Sequence, residues 1–211
     1  MNNNEKLESI IRMVSELGLS GDEVMSYLAE RGNLNSNNST GSSQTADFSQ
    51  YRTPSRVLPG MFVYTDGLIY PDIIEGRQIK AVVGYIDGSE GLAVCLQEKY
   101  RSWHIGVQGE QSAYMCCRDY AEDGVKPGEA FLASVEQLQQ IAPYHDVINA
   151  SLNLLKKTPI TNHVYWSSDG QMLASMACEA TAVYLGCDGS TWTYKGEECY
   201  NILRVRPVIK I

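Results

Sequence analysis

Residues 5–31 carry apolar side chains at helical spacing in two short stretches. In the first stretch they recur at steps of three and four, so one helical face holds Leu7, Ile10, Ile11, Val14 and Leu17. Gly18 suits the end of that helix. Ser20 and Glu23 then form a capping-box pattern ahead of a second apolar stretch, which Gly32 ends. The pattern predicts a helical hairpin over residues 1–32.

Two helices this short are only marginally stable alone in water, because helix nucleation is costly. We therefore expect the hairpin over 1–32 to pack on another surface. It either covers part of its own domain or serves as an oligomerisation or docking tag. The pattern leaves both interpretations open.

Residues 33–56 have the composition of a flexible connection. From Asn33 to Gln50 the chain is a low-complexity run of Asn, Ser, Thr, Gly and Gln with almost nothing apolar. Such a run cannot bury enough surface to offset the entropy cost of ordering it. We predict a disordered polar linker over 33–56, followed by a domain over residues 57–211.

Short β-type runs begin the domain. Residues 61–64 and 68–70 flank an Asp66-Gly67 pair, which is typical of a tight hairpin turn. Two longer apolar runs, 79–86 and 91–96, predict a second pair of strands. Helical patterns follow over 111–121, over 135–141 and from Pro143 to about Leu155. For the second of these helices Ser134 is the expected N-cap, and Gln137 completes a capping box.

The last part of the chain returns to strands. The predicted strands cover 164–168, 177–185, 190–194 and 202–209, and the predicted turns fall at Asp169-Gly170, 187–189 and Lys195-Gly196. Strands, then helices, then strands indicate an α+β fold with a mostly antiparallel sheet and two or three helices.

Four segments of this domain resemble a known family when taken in order. They are residues 91–94 followed by Trp103, then 131–138 (F-L-A-S-V-E-Q-L), 165–168 (Y-W-S-S) and 203–208 (L-R-V-R-P-V). Together they are similar to bacterial and phage domains of the Fibrobacter succinogenes major paralogous type. The second segment departs from the family pattern, since Ala133 stands where the family has Pro.

The resemblance implies a C-type-lectin-like fold over residues 57–211. The same fold serves phage tropism determinants and, more distantly, formylglycine-generating enzymes. It implies ligand binding without catalysis, in a phage, prophage or surface-associated assembly. In such domains the loops between late strands carry the ligand, which directs attention here to residues 169–175 and 186–192.

Charge and hydropathy exclude some classes of partner. The chain has 17 basic and 25 acidic residues, a formal net charge of −8, and its basic residues are scattered. A duplex-binding surface needs clustered Lys and Arg, so we expect no nucleic acid partner. No apolar run approaches the roughly 18 residues that would cross a bilayer, so we expect no membrane insertion. The first residues show no classical signal peptide, so we expect a virion or extracellular surface reached by another route, or otherwise the cytoplasm.

Six cysteines leave the redox state open between free thiols and disulfides: Cys95, Cys116, Cys117, Cys178, Cys187 and Cys199. Four of them, Cys95, Cys116, Cys117 and Cys178, lie in apolar or aromatic surroundings, which favours buried free thiols. A cysteine nucleophile is the sharpest enzyme hypothesis, but no local signature surrounds any of these residues. Acidic residues of the late strands and turns (Asp169, Asp188, Glu197 and Glu198) could converge on calcium, yet such residues are usually turn formers. We assign no catalytic residue, no metal site and no cofactor.

Tyrosine is the residue type that favours binding. There are 13 Tyr against 3 Phe, and Tyr offers a large, rigid contact area with a polar tip. An equally weighted alternative is that many of these tyrosines border the core and keep their hydroxyls in water. The candidate ligand-binding residues are Trp192, Tyr194, Asp188, Asp169, Trp103 and His104.

These observations favour a non-catalytic module that binds a cell-surface glycan or a protein ligand. The segment 1–32 would hold it in a homo-oligomer or a larger assembly. Two alternatives remain: a structural or decoration protein that makes only protein–protein contacts, and an enzyme of formylglycine-generating type with a reactive cysteine.

Overall fold

The computed structural model describes residues 48, 50–88, 90–103, 111–172 and 178–211. The chain divides into two compact units, Met1–Thr45 and Ala46–Ile211. The predicted hairpin over 1–32, most of the predicted linker and His104 lie outside the described residues. The prediction of an α+β architecture with mostly antiparallel sheets is confirmed for the second unit.

The first sheet is wholly antiparallel and has six strands in the order β2-β1-β3-β4-β11-β6. Their bounds are β1 Phe62–Tyr64, β2 Ile69–Tyr70, β3 Ile79–Asp87, β4 Glu90–Cys95, β6 Ala130–Leu132 and β11 Pro207–Lys210. The predicted hairpin around Asp66-Gly67 is present, and Gly67 takes a φ of 90°, which a glycine adopts without strain. The pair of strands predicted over 79–86 and 91–96 is also present.

The second sheet has five strands in the order β5-β10-β7-β8-β9. Their bounds are β5 Lys99–Arg101, β7 His163–Met172, β8 Cys178–Leu185, β9 Thr191–Glu197 and β10 Leu203–Val205. Neighbouring strands run antiparallel except β10 and β7, which are parallel. β9 forms one edge of this sheet.

Three α-helices and one short 3-10 turn lie among the described residues. They are α1 Ala113–Arg118, α2 Val135–Ile141, the 3-10 turn Ala142–Tyr144 and α3 His145–Leu154. The Ser134 hydroxyl accepts a hydrogen bond from the backbone amide of Gln137, and the Gln137 side chain accepts one from the backbone amide of Ser134. The predicted capping box is therefore confirmed. None of the described helices is both long enough and apolar enough to cross a membrane.

Both sheets bury apolar side chains on two faces. On β3, Val82 packs with α2, α3 and the second sheet, while Ala81 and Val83 face a separate cluster that contains Tyr120 and Val125. A third cluster holds Trp166, Ala180 and Ala182 against α1. This alternation follows from the two-residue period of a strand and gives each sheet a covered face on either side.

Three strand and turn predictions are wrong in detail. The structure places Asp169-Gly170 inside β7 and Lys195-Gly196 inside β9, because both strands continue past the glycine through an irregular register. The strand predicted over 202–209 is two strands that join different sheets, with Arg206 between them. Short strands β5 and β6 were not predicted, since three residues are too few to show a period.

The folded unit begins before residue 57. Phe48 and Tyr51 pack against the main core, and the Ile69 backbone amide donates to the Thr53 hydroxyl at 3.0 Å. Tyr51 also meets Tyr70 edge to face, with ring centroids 5.4 Å apart. Although residues 33–56 are mostly polar, two aromatic side chains near the end of this segment therefore pack on the domain.

Candidate functional site

The edge strand β9 exposes two large aromatic side chains on one face. Trp192 is 66% exposed and Tyr194 is 43% exposed. The two residues are two positions apart, and they lie opposite Tyr184 and Ala182 of β8, so they point to the same side of the sheet. We call Trp192 and Tyr194 the aromatic strip. The structure thus brings together two of the three aromatic residues that the sequence singled out, while the third, Trp103, lies elsewhere.

The opposite face of β9 borders a groove of about 510 Å³. The intervening residues Thr193 and Lys195 line it from β9. We call this depression the β9 groove, and its lining consists of Val135, Asp169, Gly170, Glu179, Thr181, Thr193 and Lys195. One edge strand therefore contributes to two different surfaces through its alternating side chains.

Gly170 lines the groove beside Asp169. β7 loses regular register with β8 between Trp166 and Gly170, so the strand bends there. A Cβ atom at Gly170 would lie 2.6 Å from Cζ2 of Trp103, which shows that the indole ring packs directly under this glycine. The Trp103 Nε1–H donates to the Ser167 carbonyl oxygen at 2.9 Å. Trp103 is half-buried, and its polar atom is already engaged within the domain.

Asp169 links the groove to α2. One carboxylate oxygen of Asp169 accepts a hydrogen bond from the backbone amide of Val135, at the first residue of that helix. The Asp169 amide in turn donates to the Ser167 hydroxyl at 3.2 Å. An acidic side chain at a helix start satisfies an otherwise unpaired N–H. The structure places Asp169 at the rim of the β9 groove as a fixed acceptor.

Asp188 shapes the turn between β8 and β9. Its Oδ1 accepts from the Ser190 amide at 3.0 Å, as in turns built around Asp and Asn. Hydrogen bonds from the side chain and backbone of Ser190 lower the pKa of the Asp188 carboxyl. Asp188 therefore holds the turn that leads into the aromatic strip.

The six candidate residues thus occupy different places. Trp192 and Tyr194 share one exposed face, Asp169 lies at the groove on the other face, and Asp188 lies in the preceding turn. Trp103 is packed beneath Gly170, and His104 is outside the described residues. Sequence reasoning missed the groove residues Glu179, Thr181, Thr193 and Lys195, although alternation along β9 places Thr193 and Lys195 together once β9 is known to be an edge.

The free cysteines divide by exposure. Cys95, Cys116 and Cys117 are buried thiols, as their apolar surroundings predicted, and burial raises the pKa of each. Cys187 is an exposed thiol, and the Asn162 amide nitrogen donates to its sulfur at 3.2 Å. Cys199 is disulfide-bonded, which corrects the expectation of free thiols at that position. Its own neighbours in sequence are polar, so they gave no sign that it is buried.

The described part of the chain contains no group of three His, Cys, Asp or Glu side chains that could hold a metal ion. Two of the acidic residues considered for calcium, Asp169 and Asp188, each accept a backbone N–H instead. Their carboxylates stabilise local structure.

Comparison with known protein families, with curated proteins and with solved structures finds no match to this chain.

Proposed function

We propose that this protein is a non-catalytic ligand- or receptor-binding module with a C-type-lectin-like fold, and that the aromatic strip is its main contact surface. The observation that carries the proposal is the exposure of Trp192 and Tyr194 side by side on an edge strand. A tryptophan that is two-thirds exposed leaves a large apolar area in water, and binding would remove that area.

The aromatic strip has the physical properties of a binding anchor. Trp and Tyr dominate the energy of many interfaces, because they bury much area for few rotatable bonds. The backbone that carries them is held by the ladder between β8 and β9 from Thr191 to Glu197. Little conformational entropy would therefore be lost when a partner covers the strip.

The expected partner is a cell-surface glycan or protein ligand. Trp192 and Tyr194 can stack on the C–H face of a sugar ring or fill a pocket on a protein, so the strip itself suits both. Weak single sites become effective when several copies act together. The predicted hairpin over 1–32 supports a homo-oligomer or a larger assembly that would present the strip several times.

The setting we propose is a phage, prophage or surface-associated assembly, with the protein on a virion or an extracellular surface. This rests on the four-segment resemblance and on the order of predicted hairpin, polar linker and domain. A structural or decoration protein that makes only protein–protein contacts would use the same strip for a neighbouring subunit.

An enzyme with a reactive cysteine is the less favoured alternative. A nucleophilic thiol needs a lowered pKa, but burial raises the pKa of Cys95, Cys116 and Cys117. Cys187 is exposed, and the group that donates to its sulfur is the Asn162 amide, which is not a general base.

Binding of the full chain to a glycan array and to a panel of intact bacterial cells tests the proposal, with the protein displayed as a multimer. The double variant Trp192→Ala/Tyr194→Ala should lose at least about tenfold in apparent affinity, because interface aromatics commonly contribute more than about 1–2 kcal/mol each.

The matched control is Tyr114→Ala/Tyr200→Ala, which removes two tyrosines of similar exposure (59% and 58%) outside the strip. This control should bind like the wild type. Equal loss in both double variants, or binding by neither the wild type nor the control, would contradict the proposal.

A further inference from the structure

The outer side of β9 is an exposed strand edge. Among the described strands, β9 has a neighbour on one side only, β8. Helix α2 packs mainly over β8, one strand in from this edge. Trp192, Thr193, Tyr194 and Lys195 are all exposed. An exposed edge strand is a template for a further strand, because its outward N–H and C=O groups are available for hydrogen bonds.

The hydrogen bonds of the β8–β9 hairpin show which residues of β9 face outward. The Gly186 amide donates to the Ser190 carbonyl oxygen at 2.8 Å, and pairing continues from there in regular register. Along an antiparallel ladder, every second residue bonds to the partner strand. Trp192 and Tyr194 therefore bond to β8 through their backbones. The residues whose backbone groups are directed away from β8 are Thr191, Thr193 and Lys195.

This outward pattern is symmetric about Thr193, so a second β9 can pair with it. In an antiparallel pair with its two-fold axis at Thr193, the two Thr193 residues exchange hydrogen bonds with each other. On either side, Thr191 of one copy exchanges them with Lys195 of the other. The axis falls at the midpoint of the regular segment from 191 to 195. Because each Lys195 lies opposite a threonine, this register places no like charges opposite each other.

The aromatic strip favours the same register. The axis at Thr193 places Trp192 of each copy opposite Tyr194 of the other, at positions that are not hydrogen-bonded. Cα atoms are about 4.5 Å apart at such positions, closer than at hydrogen-bonded ones, so the side chains meet. Cross-strand aromatic pairs stabilise antiparallel sheets. An axis one residue away would instead place one aromatic residue opposite Gly196 or Ser190.

The area of this contact sets its strength. A Trp or Tyr side chain buries at most about 150–250 Å², and Trp192 and Tyr194 are 66% and 43% exposed. Complete burial of both aromatic pairs would remove on the order of 500 Å². Stable interfaces bury roughly 1,200 Å² or more, so one short strand pair gives a weak dimer. The hairpin predicted over 1–32 would strengthen it by holding copies at a high effective concentration.

We propose that two copies of this chain associate through β9, in an antiparallel pair with its two-fold axis at Thr193. Their second sheets then become one continuous sheet. This interaction goes beyond the proposed function, because it assigns the backbone edge of β9 to a second copy of the chain. It also sets the two aromatic strips side by side on one face of the joined sheet, where a ligand would meet both.

Cysteine cross-linking of the full chain tests the pairing and its register. All variants carry Cys187→Ser, which removes the exposed thiol of the described cysteines. Thr193→Cys places two thiols at the axis with Cα atoms about 5.5 Å apart, a separation that a disulfide spans, so mild oxidation should give a linked dimer. Lys195→Cys is the matched control. Its two thiols would lie about 13 Å apart along the strands, so its yield of dimer should be at least about fivefold lower.

A mixture of two variants tests the opposite positions. Thr191→Cys and Lys195→Cys face each other across the proposed pair, so their mixture should cross-link efficiently although neither variant does so alone. Adding Thr193→Pro to both should abolish this product, because proline removes an outward N–H and leaves the bonds to β8 in place. Adding Thr193→Val, which keeps the N–H, should leave the yield unchanged. Circular dichroism checks that each variant is folded.

The proposal is overturned if Thr193→Cys gives no dimer. It is also overturned if Thr193→Cys and Lys195→Cys cross-link equally, since equal yields indicate random collision. Cross-linking of the Thr193→Pro mixture to the same extent as the Thr193→Val mixture would likewise contradict it. None of these outcomes bears on the proposed function, which the cell- and glycan-binding assays test separately.

Discussion

The Tyr165 hydroxyl donates to a carboxylate oxygen of Glu98 at 2.6 Å, and both side chains are almost fully shielded from water. Arg204 pairs with the other oxygen of Glu98, and the Arg206 guanidinium lies 3.4 Å from the first. The Tyr165 oxygen also accepts from the Thr161 amide at 2.9 Å. This buried network lies where the chain leaves the second sheet at β10 and enters the first sheet at β11.

Arg206 is the residue between β10 and β11, and it is 3% exposed. Its guanidinium donates to the carbonyl oxygens of Cys95, Thr158 and Pro159 at 3.1, 3.0 and 3.0 Å. One side chain thus connects β4, the loop after α3 and the junction of the two sheets. The network stabilises the relative position of these segments.

We expect Arg206→Met to lower the free energy of unfolding by about 3–5 kcal/mol, because it leaves buried carbonyls and part of a buried carboxylate without a partner. Urea unfolding followed by circular dichroism measures this change. Arg118→Met removes an exposed arginine paired with Asp119, and it should leave the free energy of unfolding almost unchanged because water screens that ion pair. Similar values for the two variants would contradict the structural role of Arg206.

The free energy of unfolding should also fall at high pH, because the buried Tyr165 then loses its proton. Burial, followed by the charge of Glu98 and its hydrogen bond, raises the pKa of Tyr165 from 10.0 to about 12. The folded state holds the proton more tightly than the unfolded state, so the contribution is complete below pH 10 and is lost as the pH rises from about 10 to 12. Two pKa units correspond to about 2–3 kcal/mol.

The free energy of unfolding of the wild type and of Tyr165→Phe, measured in urea from pH 8 to the alkaline limit of folding, checks this prediction. Other tyrosines titrate in both proteins, so the difference between the two curves isolates Tyr165. The difference should shrink as the pH rises above 10. A difference that stays constant over this range would show that Tyr165 ionises as it does in the unfolded chain.

Gly170→Ala should destabilise the domain by about 1–3 kcal/mol, because the added methyl group would overlap the Trp103 ring and the Glu179 carbonyl oxygen, at 2.6 and 2.7 Å. The change is measured as the shift of the urea midpoint. Ser168→Ala, at an exposed position on the same strand, should be nearly neutral. An equally neutral Gly170→Ala would mean that Trp103 does not pack under the strand.

Thiol labelling should distinguish the free cysteines. Cys187 is exposed and should react with iodoacetamide in the native protein, while Cys95, Cys116 and Cys117 should react only after denaturation. Peptide mass spectrometry reports each site, and Cys187→Ser serves as the control that loses the native signal. Labelling of Cys95 or Cys117 in the native protein would contradict the burial seen here.

Several local elements could be predicted from sequence because a few neighbouring residues decide them. Ser134 and Gln137 cap α2 through their own backbone and side-chain groups, so three-residue spacing was enough to find the box. The Asp66-Gly67 turn is likewise a local preference of the backbone. The candidate residues Trp192 and Tyr194 came instead from the resemblance, which implies that loops between late strands carry the ligand, whereas the structure places both in the edge strand β9.

Other features depend on residues that are distant in sequence. Asp169-Gly170 looks like a turn, but β7 continues through it because Trp103 and the strand β8 hold it extended. The groove residues Thr181 and Lys195 look like ordinary surface positions, and only pairing across β8 and β9 brings them together. Arg206 sits in a strand-like run, and nothing nearby shows that its partners are Glu98 and the loop at 158–159.

The sequence by itself therefore determined the α+β class, the capped helix and the first hairpin, since these follow from element order, short-range spacing and backbone preference. Only the tertiary structure decided the division into two sheets, the path of β7, the β9 groove and the buried network around Glu98. Those features arise from contacts between segments far apart in the chain, and their free energy appears only when hydrophobic burial brings the segments together.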